Sequence, residues 1–373
     1  MWKHEKIILF YGSDRAFADV IPKSYRNLSD IAMQMDDESK QMQLVVTGLP
    51  QQEEAPRKEK KKKIRVSNFV IFADEYSSVQ EHVIINFISF MAKLSITNMY
   101  IQNPPIHLQE QINRVFGDMN IIEEIHQKYN VVTEETIREI NTQFDKRIIG
   151  QEQVKMQMLK TIYPIMNNVQ SKPIVILLYG NSGIGKTETA QFLTEKIGGK
   201  LLRKQFSMYQ NNEFANYLFG GKYNEKSFAK DLLARDSNVI LLDEFDKAYS
   251  VFHSAFYQLF DEGIYEDQNY RVDVRHAIII CTSNYKSKDE VKEKLGNPIF
   301  NRFDGVIRFE ELSSNAKKKI AEKELNELDK ENALPVDIRQ IIINSSVSLE
   351  NAREIRRLIK DTKSLLEIRN ICQ

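Results

Sequence analysis

The apolar positions of this chain fall into two patterns. Up to about residue 130 they come in short runs. Residues 6–11, 43–47, 66–73 and 98–102 have the length and β-branched content of strands, and 79–94, between the last two, has a helical pattern. This predicts an α/β domain over 1–130, although its residues point to no particular family. Residues 121–144 read as a helical connector, assigned to 131–146 once the first domain is bounded. Beyond it come a helix at 152–166, a polar linker at 167–172, and three uninterrupted apolar runs at 174–179, 239–242 and 277–281. Runs of that kind suit strands buried on both faces, as in a parallel sheet covered by helices. The pattern gives a large domain over 147–310 and a small helical one over 311–373.

The first of the three runs ends in Gly180, Asn181, Ser182, Gly183, Ile184, Gly185, Lys186 and Thr187, and a helical pattern follows at 187–197. Strand, glycine-rich loop and helix together make a phosphate cradle, because successive backbone N–H groups and the helix N-terminus converge on one anion. Gly183 and Gly185 let the backbone approach the phosphates. Lys186 would reach the β and γ phosphates, Thr187 would hold Mg²⁺, and Glu188 opens the helix behind them. A chance glycine turn would have to reproduce all eight positions in the same strand-to-helix setting.

The other two runs end in Asp243-Glu244 and Thr282-Ser283-Asn284. Ligands of open α/β sheets sit at the carboxyl ends of strands, so three strands deliver their last residues to one place. Asp243 would hold Mg²⁺ through water, and Glu244 would orient and polarise the water that attacks the γ phosphate. Asn284 could position that water or contact the phosphate. Acidic residues after a strand can also be plain helix caps, a reading that weakens once a phosphate loop precedes them.

Composition narrows the partners. The 52 basic and 52 acidic residues among 373 cancel, so bulk charge selects neither nucleic acid nor membrane. The basic run 57–63 reads as a solvated loop between strands rather than a patch for an acidic partner. Asp74 and Glu75 close a strand and read as a strand end or helix cap, not as metal ligands. Cys281 and Cys372 fit no metal spacing or disulfide framework, which suits a reducing cytoplasm. The longest apolar stretch, 83–96, is broken by Asn86 and Lys93 and reads as a buried helix instead of a membrane span. Residues 1–11 are too short in apolar content for a secretory signal.

From residue 147 onward the chain resembles the Clp-type branch of the AAA+ ATPases. Ile148-Ile149-Gly150-Gln151 is similar to the segment lining the adenine pocket in that family, and 241–248, Leu-Leu-Asp-Glu-Phe-Asp-Lys-Ala, to its Walker B motif. Residues 297–304, Asn-Pro-Ile-Phe-Asn-Arg-Phe-Asp, are similar to its arginine-finger segment, and Arg353 stands where the family has its second sensor arginine, with Asn351 in place of a glycine. The resemblance implies an α/β AAA+ P-loop core with a parallel sheet covered by helices, a small helical lid and a separate N-terminal α/β domain. It also implies ATP and Mg²⁺ as cofactors and a homo-oligomeric ring of six. Arg302 would then reach the γ phosphate of a neighbouring subunit, unless it pairs instead with Asp304 or Glu310. By the residues themselves, Asn351 with Glu354 forms a capping box for a helix over 352–363, which leaves Arg353 opposing the helix dipole in its first turn.

Rings of this type pull polypeptide through a pore with an aromatic loop. The corresponding place here holds Lys222 and Tyr223, so Tyr223 would either grip substrate or anchor its own loop. No Ile-Gly-Phe or Ile-Gly-Leu tripeptide, carried by peptidase-coupled relatives, occurs over 285–296. The expectation is an ATP-hydrolysing chaperone that unfolds or remodels proteins chosen by its N-terminal domain or an adaptor, without a partner peptidase. The alternatives are a nucleic-acid-associated ATPase using Lys60 to Lys63, and a nucleotide-gated assembly switch.

Overall fold

The computed structural model describes residues 5–47, 63–166, 171–208, 213–329 and 334–372. It divides into two compact units that do not follow sequence order. The first comprises 1–128, 212–236 and 266–272, and the second 129–211, 237–265 and 273–373. Two segments expected within the 147–310 domain therefore group with the first unit. Hydrogen bonds inside that unit show why: Ile106 N donates to Asn269 O at 2.8 Å, and Gln268 N to Phe219 O at 3.0 Å.

In the first unit, β1 (Lys6–Tyr11), β2 (Arg26–Asn27), β3 (Ile64–Ile71), β4 (Leu94–Gln102) and β5 (Ile122–His126) form one parallel sheet in the order β2-β3-β4-β1-β5. Ile7 and Leu9 of β1, an interior strand, are fully buried with Phe69, Ile71, Met99 and Ile101, which makes the core continuous along the sheet. Three sequence expectations change here. Residues 43–47, read as a strand, end the helix Leu28–Thr47. Residues 121–130 are not helical, since β5 pairs with β1 in the register Ile7↔Ile122 to Tyr11↔His126. The helix expected over 79–94 is two short ones, Glu81–Ile85 and Phe87–Met91, parted at Asn86, whose φ of −111° and ψ of 39° leave the helical region.

The polar residues at the carboxyl end of this sheet are occupied with one another. Asn103 exchanges two hydrogen bonds of 2.9 Å with the backbone of Gly12, and Gln102 donates to Gly12 O and to Asp14 Oδ1. Glu75 is a cap, as the sequence suggests: its carboxylate accepts from Phe72 N at 3.0 Å and from Ser29 N at 2.8 Å. Of the basic run, residues up to 62 lie outside the described residues, and Lys63 is exposed just ahead of β3.

In the second unit, β6 (Ile174–Tyr179), β7 (Leu202–Gln205), β8 (Val239–Asp243), β9 (Ile278–Ser283) and β10 (Gly305–Arg308) form a parallel sheet in the order β10-β6-β9-β8-β7. Every residue of β6, β8 and β9 is buried, as their unbroken apolar runs require. Helices Glu134–Arg147, Glu152–Met166 and Lys186–Ile197 contribute Phe144, Met158 and Leu193 to the same core. Helices Ser314–Leu328, Val336–Ser345 and Ala352–Cys372 close on a smaller cluster of their own around Leu325, Ile342, Ile355 and Ile359. Among the described residues, no helix is long and apolar enough to cross a membrane.

Ser29, one of the two backbone donors capped by Glu75, lies 46 residues from it in sequence, so the cap ties local structure to the sheet. Glu75→Ala is expected to destabilise the first unit by about 1 kcal/mol, since it leaves two part-buried N–H groups without their carboxylate partner. Chemical denaturation measures the loss, and an unchanged midpoint would show the cap to be idle.

Candidate functional site

β6 runs into the loop 180–185, and the helix Lys186–Ile197 starts from Gly185 at φ 110°. The turn needs glycine at Gly180, where φ is 136° and a Cβ would lie 2.6 Å from the carbonyl oxygen of Phe309. At Gly183, φ 76°, a Cβ would meet Asn351 at 2.9 Å. The loop borders a cavity of about 720 Å³ lined by Ile148, Ile149, Ser182, Gly183, Ile184, Gly185, Lys186, Thr187 and Glu188 from one side, and by Asp243, Glu244, Thr282, Asn284 and Arg353 from others.

Lys186 is buried, and its ammonium donates to Gly180 O and Asn181 O at 2.6 Å each and to Asn284 Oδ1 at 3.2 Å. Burial pulls its pKa down to about 8, against the raising influence of Asp246 and Asp243. A cation held this way, part-desolvated and bonded only to neutral oxygens, is primed to gain from an arriving anion. Gly180 and Asn181 thus act from behind the loop, through carbonyls that hold the lysine. Segment 148–151 is fixed by Gln151, whose side-chain amide donates to Glu310 O at 2.8 Å and accepts from Glu310 N at 3.1 Å.

At the end of β8, Asp243 is nearly buried. Its Oδ1 accepts from Thr282 Oγ1 at 2.5 Å, and Thr187 Oγ1 lies 3.3 and 3.4 Å from its two oxygens. Thr282 Oγ1 in turn accepts from Glu244 N at 2.9 Å. That pairing holds Glu244 at φ 54° and ψ 45°, a left-handed conformation that costs a non-glycine residue about 1–2 kcal/mol. Strain of this kind gathers at functional sites. Gln205 Nε2 donates to Glu244 Oε2 at 3.1 Å, so the carboxylate is aimed as well as placed. Thr187 and Asp243 offer hard oxygen donors side by side, a set that fits Mg²⁺ completed by phosphate and water. No cluster of three or more His, Cys, Asp or Glu suited to a metal occurs among the described residues.

The remaining candidates lie as follows. Arg353 reaches across from the first turn of Ala352–Cys372, and its Nη1 donates to Ser182 Oγ at 3.0 Å. Asn351 caps that helix through Oδ1 to Arg353 N and Glu354 N, while Glu354 returns its bond to Glu350 N, one residue earlier than a capping box requires. Arg302 is not among the residues lining the cavity. It bonds Asp261 Oδ2 at 2.8 Å and Pro298 O at 2.6 Å and stacks 4.3 Å from the Tyr257 ring. The expected structural partners of Arg302, Asp304 and Glu310, are instead paired with Lys172 and Arg308.

Lys222 and Tyr223 belong to the first unit. Lys222 is exposed, but Tyr223 is half-buried against the apolar core of that unit, and its carbonyl accepts from Lys230 Nζ at 2.5 Å. Of the two roles expected for Tyr223, anchoring its own loop is the one its packing supports. Residues 288–300 form a helix capped by Ser287 and kinked at Gly296.

Sequence reasoning missed Arg203 and Gln205, which line the same cavity. They sit two residues apart on β7, hence on one face, beside β8. The strand was illegible because Leu202–Gln205 is short and half-exposed. Thr282 was visible as a strand end, but nothing in the sequence gave its hydroxyl the bridging role it has.

A family profile described as an AAA domain of the Cdc48 subfamily matches residues 171–337. The chain is 33% identical over 165 residues to the chaperone protein ClpB of Yersinia enterocolitica, covering 41% of this chain and 18% of that one. It is 34% identical over 163 residues to the AAA+ ATPase ClpV1 of Pseudomonas aeruginosa, covering 40% and 18%. Identity is 25% over 307 residues with the ATP-dependent Clp protease ATP-binding subunit ClpL of Staphylococcus aureus, covering 70% and 44%. The chain thus spans less than half the length of each of these relatives. In fold, it matches a closed-state cryo-EM reconstruction of Hsp104 with ATPγS and FITC-casein at a TM-score of 0.55 and 14% identity, covering 98% of this chain and 89% of that one. Over 171–337 the chain thus matches an AAA domain, and the relatives it is similar to in sequence are of the Clp type.

Proposed function

We infer that this chain binds and hydrolyses ATP with Mg²⁺, and that hydrolysis drives the remodelling of protein substrates by a homo-oligomeric ring, hexameric by family habit. The observation that carries this reading is the convergence of Lys186, Thr187, Asp243, Glu244 and Asn284 on one cavity at the ends of three parallel strands. Mg²⁺, held by Thr187 and, through water, by Asp243, would neutralise charge on the phosphates. Lys186 binds the phosphate oxygens, and the N-terminus of its helix adds backbone N–H donors. Glu244 accepts the proton of the attacking water and orients it, with Asn284 fixing its position. Arg353, from the small helical domain, places a guanidinium at the loop as charge moves to the leaving oxygen. Ile148 and Ile149 give the base an apolar wall.

Arg302 is directed at Asp261 rather than at its own cavity, which supports its use on an adjoining copy of the chain. The substrate reading rests on the likeness to ClpB and ClpL, and selection by the first unit or an adaptor is part of the proposal. The absence of the peptidase-docking tripeptide favours remodelling without an attached protease. Cytoplasmic placement is part of the same proposal.

Lys186→Ala is expected to weaken ATP binding by at least a hundredfold by calorimetry, a loss on the order of 3 kcal/mol typical of a buried charge contact. Glu244→Gln should retain ATP yet turn it over about 10²- to 10⁴-fold more slowly. Isolated from cells with ATP, the Glu244→Gln form should retain protein; recovery of nucleic acid instead would overturn the substrate reading. Mixing Arg302→Ala with Glu244→Gln subunits should restore part of the turnover if sites are completed between copies, and no rescue at any ratio would show that they are not.

A further inference from the structure

The guanidinium of Arg203 lies on the carboxylate assigned to the metal. Its Nε and Nη2 donate to Asp243 Oδ2 at 2.9 and 2.5 Å, while Oδ1 is taken by Thr282 and approached by Thr187. Both lone-pair faces of a nearly buried carboxylate are therefore committed. The two partners differ in freedom: the Asp243 side chain is 6% exposed and the Arg203 side chain 41%. The carboxylate is fixed and the guanidinium can swing into the cavity it already lines.

We propose that Arg203 is a displaceable counter-ion of Asp243, a positioning residue that must leave Oδ2 before the carboxylate can serve Mg²⁺ through water. The inference rests on the nucleotide reading of the site. Two cations close to one desolvated carboxylate repel each other strongly, because little water screens them. Arg203 holds the aspartate in place and balances its charge when the metal is absent, and it raises the Mg²⁺ concentration at which nucleotide binds fully. Its position follows from the register of β7, where Arg203 stands beside Leu241 of β8 and Gln205 beside Asp243. Alternate residues of one edge strand thus attend the two acidic residues that end β8, Arg203 on Asp243 and Gln205 on Glu244.

The test is a Mg²⁺ titration of the full chain carrying a fluorescent ADP analogue, with unsubstituted protein, Arg203→Gln and Arg203→Lys side by side. Arg203→Gln should lower the half-saturating Mg²⁺ by about tenfold, the scale of one charge-assisted pair discounted for its exposure. Arg203→Lys keeps the charge but not the fork and should shift the midpoint in the same direction by less. If Arg203 only braced the carboxylate for the metal, both variants would need more Mg²⁺, which would overturn the proposal, as would unaltered midpoints. Failure of the unsubstituted chain to bind the analogue would overturn the nucleotide reading and this inference together.

Discussion

One hydroxyl holds the site together. Thr282 Oγ1 donates to Asp243 and accepts from the backbone of Glu244, so the end of β9 determines how β8 delivers both of its acidic residues. The bond is possible because the two strands pair in parallel with Cys281 beside Leu242, which puts the next residue of each at the same height. Without that match Glu244 would have no reason to sit in a left-handed conformation, and its carboxylate would not face Gln205. The buried sheet is thus a device for fixing the separation of charges. Lys186, Asp243 and Glu244 are costly to desolvate singly and are kept together by backbone carbonyls, a threonine and two neighbours on an edge strand.

What could be read from the sequence was whatever is repeated over several residues or confined to a short loop. The strands β6 and β8 show as unbroken apolar runs because both their faces are covered, and the phosphate loop shows as glycines at fixed offsets. Tertiary pairing decided the rest. Ile121, Ile122 and Ile125 are spaced as on a helix, yet 122–126 became a strand because β1 offered it an open edge. Residues 43–47 contain three β-branched residues in a row, Val45, Val46 and Thr47, and still finish a helix. Arg203 was beyond sequence reasoning for a different reason: its strand carries no periodicity, and its partner lies 40 positions away.

The first unit is the part whose chemistry least resembles a ligand site. At the carboxyl end of its sheet, where open α/β folds bind ligands, Gln102, Asn103, Gly12 and Ser13 satisfy each other or Gln127. Polar groups spent on one another make a rigid end rather than a receptive one. Tyr223 and the residues around it are held in the same unit by Lys230 and Asn269.

The junction of the small helical cluster with the phosphate loop has almost no slack. Ala352 N donates to Gly183 O at 3.1 Å, and a single methyl at Gly183 would strike Asn351. From that pivot the helix Ala352–Cys372 runs for 21 residues, about 31 Å. It has the geometry of a lever arm: a tilt of roughly 10° at the pivot would carry the far tip through about 5 Å. The outer half of the arm bears Leu365, Ile368 and Ile371 on its exposed surface, so a movement too small to notice at the loop is a large displacement of greasy surface at the other end.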